Sequence, residues 1–467
     1  MQHNRRQFLS ATAASAAATL LPGCSSRGSE PHMPVAYELG KPLPWVNWAG
    51  NQHCFPKHRP SPSTEAEVVD ALRQAPGQVR AVGAGHSFAA LVPTDDTLIA
   101  TDLLSGLVSH DAATLQAELW AGTRLNEVGP LLAGVAQALP NMPDVDHFAL
   151  GGAIATSVHG TSTRFGSLSS RIVGLTLATP SGELIECSTT QHPEVFHAAR
   201  VSVGALGIVT RVRLQNDKPF HLTETNRVER TEDILADLDK RFAQHRHFEF
   251  MPLPHSDLAA TVVTELAQPG DANVGEDDPK ALADLRKVFD AVSWMPGASL
   301  VYDRLLKIAM GDSASSVRTG PSYQVFPHLR GVRFREMEYA VPADAGAACI
   351  REILQTIRDQ KIPVCFPLEY RSVDADDIWL SMFSGQAAAT ISVHQYGDID
   401  PAPYFAAIEP IFWKYQGRPH WGKLHTLDAP RLAALYPKHW QDFQEVRRQL
   451  DSQGKMLNPY LKKMLGA

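Results

Sequence analysis

A short apolar run, Val79-Arg80-Ala81-Val82, breaks into the turn Gly83-Ala84-Gly85, and His86, Ser87 and Phe88 follow at once. A strand that ends in such a turn points successive backbone N–H groups at one spot, where they can cradle a diphosphate with a histidine projecting beside it. The turn is not a dinucleotide fingerprint, because the third glycine of GxGxxG would fall at Phe88. Nor does it carry the Gly-Lys-Ser/Thr ending of a triphosphate loop. Taken alone, Gly-x-Gly-His is also the sequence of an ordinary bend.

The context of the turn is ordered. Upstream, Thr64 with Glu67 makes a capping box ahead of Val68, Val69, Ala71 and Leu72, one apolar helix face. Downstream, Ile208, Thr210, Val212 and Leu214 alternate with Val209, Arg211 and Arg213, the period of a half-buried strand. Beyond residue 217 the pattern reads as amphipathic helices broken by a polar, acidic surface loop at residues 268–279. Strand-like runs follow at residues 335–341, 363–371 and 390–396, with a helix at about residues 343–360. This mixture predicts an α+β second domain, and no solenoid repeat is present. At 467 residues the chain has room for two or three domains. The expected division is a signal at 1–24, a linker at 25–39, a first domain at 40–216, a cap at 217–415 and a C-terminal segment at 416–467 that returns to the first domain.

Net charge −7 and the absence of any basic run beyond pairs such as Arg447-Arg448 argue against nucleic acid as a partner. Five cysteines without a CxxC pair indicate neither a metal site nor a disulfide-stapled fold. At the N-terminus, Asn4-Arg5-Arg6-Gln7-Phe8-Leu9 precedes an uncharged, Ala-rich stretch that is too short to span a bilayer. Paired arginines before Phe-Leu resemble a twin-arginine export signal. Leu21-Pro22-Gly23-Cys24 resembles a lipidation site, which would anchor the mature chain to a membrane; Cys24 is otherwise an unmodified residue near the cleavage point.

Val46-Asn47-Trp48-Ala49-Gly50, Cys54, Pro56, the capped helix and Val82-Gly83-Ala84-Gly85-His86-Ser87 together resemble the start of the sugar-lactone and alditol oxidases. These belong to the vanillyl-alcohol oxidase superfamily, with a PCMH-type FAD-binding domain of two α+β subdomains and an α+β cap carrying a mixed or antiparallel sheet. The resemblance implies FAD held by Gly83, Ala84, Gly85, His86 and Ser87, with His86 at the position that bonds the flavin ring. Leu150-Gly151-Gly152-Ala153-Ile154-Ala155-Thr156-Ser157-Val158-His159-Gly160-Thr161 is similar to the family's second flavin-contacting loop, and implicates Gly151, Gly152, Thr156, His159, Gly160 and Thr161. Small residues there let backbone approach a planar ring. Gly207, Ile208 and Val209 fit the turn into the last strand of the flavin domain, and Asn458 falls in the family's closing segment.

In the second half, Pro367-Leu368-Glu369-Tyr370-Arg371 resembles the family's Glu-x-Arg pair. On a strand Glu369 and Arg371 share a face, where they suit a polyhydroxy substrate or form an ordinary ion pair. Ser392, His394 and Tyr396 share a face of the next strand, as a pocket wall or a wet surface. His420-Trp421-Gly422-Lys423 closely resembles a family signature and makes Lys423 a flavin-site cation, favouring the anionic reduced ring. The resemblance covers residues 45–461. It implies oxidation of an alcohol on a sugar-derived lactone or polyol by Glu369, Arg371, His394 and Lys423, with electrons passed to oxygen or to a membrane or periplasmic acceptor. Rival readings keep the flavin but take an oligosaccharide or another alcohol, or keep only the fold, as a lipid-anchored binding protein.

Overall fold

The computed structural model describes residues 39–467 apart from residues 271, 276–279, 296 and 311–314. The export signal, Cys24 and nearly all of the linker lie outside the described residues, as does part of the expected loop at 268–279.

The N-terminal part is built on two small layers. Helix Glu65–Gln74 starts where Thr64 Oγ1 accepts the Glu67 amide at 3.2 Å, while the Glu67 carboxylate reaches back to the Ser63 amide at 2.7 Å. Its Val68 and Leu72 are fully buried with Val79, Ile99 and Met456. Beneath it the expected strand Val79–Val82 pairs in parallel with Thr97–Ala100. Beside it lies a five-stranded antiparallel sheet in the order Leu107–Asp111, Gln116–Trp120, Ile208–Gln215, Ile172–Ala178, Leu184–Cys187.

The remainder is dominated by an eight-stranded sheet, antiparallel at every pairing, in the order Ser315–Pro321, His221–Arg230, Leu258–Ala267, His247–Pro252, Glu369–Val373, Ala388–Tyr396, Phe334–Pro342, Arg418–Pro419. Helices Gly346–Asp359 and Ala402–Lys414 pack together beside it. Helices do follow residue 217, at Thr231–Ala236, Leu238–Gln244, Ala281–Val292 and Ala298–Met310, but three strands that were not expected lie among them between residues 221 and 267. Their alternation is disguised because buried positions are polar as well as apolar, including Glu224, Thr261 and Thr264. Strand pairing also starts only at Glu369, not at residue 363, since Pro363 and Pro367 remove ladder donors from that segment.

The chain's end closes over its beginning. Lys455 O accepts the Val79 amide at 2.8 Å. Arg80, only 3% exposed, donates to Leu91 O, Gly204 O, Met456 O and Val203 O at 2.7, 2.7, 2.5 and 2.9 Å. One guanidinium thus ties the loop after His86, the turn before Ile208 and the C-terminal tail together.

Candidate active site

Between the two parts runs a cavity of about 330 Å³. The N-terminal part supplies a wall made mostly of small residues, Gly83, Ala84, Gly85, Ser87, Gly151, Gly152 and Gly207, together with His86, Ile208 and Val209. Close approach explains the glycines. A Cβ on Gly83 would stand 2.5 Å from the Ala149 Cβ, and one on Gly207, at φ +146°, would stand 2.3 Å from Ala178 O. Residues 150–155 are helical (Leu150–Ala155), not the loop expected. That helix tolerates its glycines because Gly151 nests against Ala121, donating its amide to Ala121 O at 2.7 Å. A Cβ on Gly152 would meet only open space.

His86 stands in this wall, stacked on Trp48 at 5.1 Å between centroids and edge-on to Phe148 at 5.2 Å. Burial, reinforced by His147 and Lys423, lowers its pKa to about 4. The ring is therefore neutral at pH 7. Asn47 holds the turn, donating from Nδ2 to Ser87 O at 3.0 Å.

The eight-stranded sheet supplies the opposite, charged wall. Arg371 Nε donates to Glu249 at 2.6 Å, and its Nη2 lies 2.8 Å from Glu369 and 3.2 Å from Asp144. Arg330 bridges Asp144 and Glu369, the latter at 2.9 Å. Burial would raise the Asp144 carboxyl, but Arg371 and Arg330 hold it well below the usual range. Glu249 goes the other way, raised chiefly by burial. Lys423 Nζ donates to Glu336 and sits 5.1 Å from the Phe88 ring centre. Burial opposes its charge, yet Glu336 and Glu338 raise its pKa, so it stays an ammonium. His394 donates from Nδ1 to Pro367 O at 3.1 Å, and its Nε2 lies 3.6 Å from Glu336.

Behind them, His159 bonds Gly160 O at 2.8 Å through Nδ1 and Glu338 at 2.6 Å through Nε2. Burial would raise Glu338, but His159 and His420 bring it down to about 2. His159, Glu338 and His420 cluster with possible ligand atoms within 4.8 Å of one another. The His159–Glu338 contact is a hydrogen bond, however: two ligands about 2.0 Å from one tetrahedral ion would stand about 3.3 Å apart.

Of the residues singled out in the sequence, Glu369, Arg371, His394, Lys423, Thr156 and His159 also line the cavity. Gly160, Thr161 and Asn458 do not. Gly160 packs so tightly that a Cβ would lie 2.4 Å from Met142 O, and Thr161 Oγ1 donates to Phe248 O at 2.6 Å. Asn458 caps the last helix, Pro459–Leu465, and donates to Ala90 O at 2.8 Å, bracing the loop after His86 from behind. Of the stripe on the strand Ala388–Tyr396, only His394 reaches the cavity; Tyr396 Oη turns to Leu282 O at 2.7 Å. Sequence reasoning missed Asp144, Arg330, Glu336 and Glu338. The two glutamates were within reach, being two apart on an expected strand.

A glycine-lined trough, open space over Gly152 and a histidine whose ring nitrogens meet no hydrogen-bond donor or acceptor among the described residues suit a flavin dinucleotide. Family models agree. An FAD-binding domain matches residues 56–188, D-arabinono-1,4-lactone oxidase matches residues 212–464, and a twin-arginine translocation signal matches residues 2–22, so the chain is exported from the cytoplasm. L-gulono-1,4-lactone dehydrogenase of Mycobacterium tuberculosis is 35% identical, covering 90% of this chain and 99% of its own. L-gulonolactone oxidase of Bos taurus is 28% identical over 91% and 98%, and alditol oxidase of a Streptomyces species 26% over 90% and 98%. The fold is that of cholesterol oxidase from B. sterolicum, at TM-score 0.74 and 16% identity over 90% of this chain and 96% of that one. The chain belongs to the D-arabinono-1,4-lactone oxidase family, the FAD-dependent oxidases and dehydrogenases of aldonolactones and alditols.

Proposed function

We propose that the protein oxidises a secondary or primary hydroxyl of a sugar-derived lactone or alditol bound between the flavin wall and the charged face of the cap sheet. The observation that carries this reading is the cluster of Glu369 and Arg371 on that face with Arg330 and Asp144 from adjoining loops, a dense set of fixed donors and acceptors opposite the glycine wall. Bound FAD supplies the hydride acceptor. Gly83, Gly85, Ser87, Gly151, Gly152 and Gly207 would hold it, by letting the backbone approach closely and through N–H groups other than that of Gly151, which is bonded to Ala121 O.

Glu369 accepts a substrate hydroxyl hydrogen bond, and Arg371, protonated under all ordinary conditions, stabilises developing negative charge on oxygen. The proton goes to His394 Nε2. Pro367 O can only accept, so Nδ1 carries a hydrogen and Nε2 is the ring nitrogen left to take the proton, with Glu336 placed 3.6 Å away to stabilise the charge it would bring. Turnover across lactones, alditols and oligosaccharides, each with oxygen and with an artificial acceptor, tests the assignment. Activity confined to oligosaccharides, or to none of the three, would overturn it.

Covalent attachment of FAD at His86 belongs to the same proposal. A neutral imidazole that lines the cavity would bond a ring methyl carbon of the flavin through its lone-pair nitrogen, with one C–H proton and the imidazole N–H proton lost and two electrons passed to the flavin and on to the electron acceptor. Acid-precipitated protein should stay yellow, and a peptide spanning His86 should carry the FAD mass. In His86→Ala the flavin should become extractable. Attachment to flavin-free protein should hold constant from pH 8 to about 5 and fall only towards the pKa near 4. Colour lost wholly to the supernatant would rule out the tether.

Export and anchoring complete the reading. Replacing Arg5 and Arg6 together by Lys should leave flavin-loaded precursor in the cytoplasm, and Cys24→Ala should abolish incorporation of a radiolabelled fatty acid. Normal export of the double variant would remove the requirement for the arginine pair, and equal labelling of Cys24→Ala would remove the anchor.

A further inference from the structure

Helices Ala281–Val292 and Ala298–Met310 pack against each other on the cap and present apolar side chains outward. Tyr302 and Leu306 turn inward and are buried, whereas Trp294, Leu300 and Ile308 are 74%, 76% and 79% exposed. Scattered exposed leucines need no explanation, but these are concentrated on one element. Leu300, Arg304 and Ile308 are four apart and so form one line along the second helix. Met295 and Leu305 are also exposed on this helix pair. The Trp294 indole N–H is bonded to Ala291 O at 2.9 Å, which fixes the ring while leaving it open to solvent.

The charge of this element is opposite to that of the whole. Between residues 280 and 310 lie five basic residues against three acidic ones, in a chain of net charge −7. Most of these bases are tied locally: Lys287 to Asp284, Arg286 to Asp290 and Asp398, Lys307 to Asp257 and Asp303. Arg304, exposed in the middle of the apolar line, pairs with no carboxylate among the described residues. Tryptophan and an aliphatic row bracketing an unpaired arginine match the layering of a membrane interface, acyl boundary below and anionic headgroup above. No helix among the described residues is long and apolar enough to cross a membrane, so the contact would be peripheral. Export delivers the chain to the surface of the membrane it has just crossed.

We propose that this helix pair docks on an anionic phospholipid surface, with Trp294, Leu300 and Ile308 entering the headgroup boundary and Arg304 meeting the phosphates. The contact is independent of both the substrate and the anchor at Cys24. The test uses flavin-loaded, full-length Cys24→Ala protein, so that no lipid chain contributes. It should co-sediment with vesicles of equal phosphatidylglycerol and phosphatidylcholine but not with phosphatidylcholine alone, and Trp emission should shift to the blue on binding. Trp294→Ser/Leu300→Ser/Ile308→Ser should bind at least about tenfold more weakly while keeping flavin content and turnover. Arg304→Gln should weaken binding and flatten its salt dependence. No sedimentation with the anionic vesicles, or equal binding by the triple variant, would overturn the proposal. So would a protein dimer in sedimentation velocity that the triple variant dissolves, which would assign the face to a second copy of the chain.

Discussion

Arg371→Met is expected to slow flavin reduction by substrate about 100- to 1,000-fold, the loss typical of removing one preorganised charge from an active site. The structure adds a second effect. Arg371 is 7% exposed and faces Asp144, Glu249 and Glu369 at once. Without it, Arg330 alone would face Asp144 and Glu369, and Glu249 would be left buried without its partner. Breaking a buried pair from one side costs about 3 to 5 kcal/mol, because the remaining charge keeps its desolvation penalty. Arg371→Met should therefore also unfold at lower denaturant. Adding Glu249→Gln should recover part of that stability without recovering rate, which separates the structural from the catalytic share. Glu369→Gln and Lys423→Met should retain FAD and each slow reduction at least about tenfold. Stopped-flow bleaching under anaerobic conditions reads this step without the electron acceptor. Wild-type rates in all three variants would show that the cluster is structural.

The second large effect is expected at Arg80. Its guanidinium donates to four main-chain carbonyls from three segments, and no carboxylate pairs with it among the described residues. Hydrogen bonds to a charged group contribute about 1.5 to 3 kcal/mol each, part of which is offset by burying the guanidinium. Arg80→Met deletes all of these donors and leaves buried carbonyls unsatisfied, so a net loss of roughly 3 to 5 kcal/mol is expected. Because Leu91, Val203 and Gly204 also line the cavity, the variant should lose flavin before it loses secondary structure. Arg80→Lys keeps the charge but cannot span the fork, and should fall between the two. Flavin absorbance per chain followed beside far-UV circular dichroism during urea titration checks this. Coincident loss of both signals in Arg80→Met, at the wild-type midpoint, would contradict it.

The sequence disclosed what is local. Val79-Arg80-Ala81-Val82 followed by Gly83-Ala84-Gly85 reads as strand and turn because both signals sit within a few residues, and Thr64 with Glu67 marks its helix for the same reason. Period two on one strand was enough to put Glu369 and Arg371 on one face. The partners of that pair were hidden, since Glu249 comes from a neighbouring strand and Asp144 and Arg330 from two loops, and they meet only in the folded chain. The cap strands from residue 221 to 267 were hidden for another reason. A sheet whose buried positions carry Glu224, Thr261 and Thr264 has no clean hydrophobic alternation to read. Asn458 was singled out as a cofactor-binding residue, whereas the structure places it behind the wall, where it braces the loop after His86, a distinction that spacing alone does not carry.

The most direct test of the account is the visible spectrum of the purified protein, recorded without oxygen before and after an aldonolactone or alditol is added. The account predicts a yellow protein with flavin absorption that bleaches on addition of substrate and returns when an acceptor is admitted. A colourless protein, or a flavin spectrum that none of these substrates changes, would contradict it.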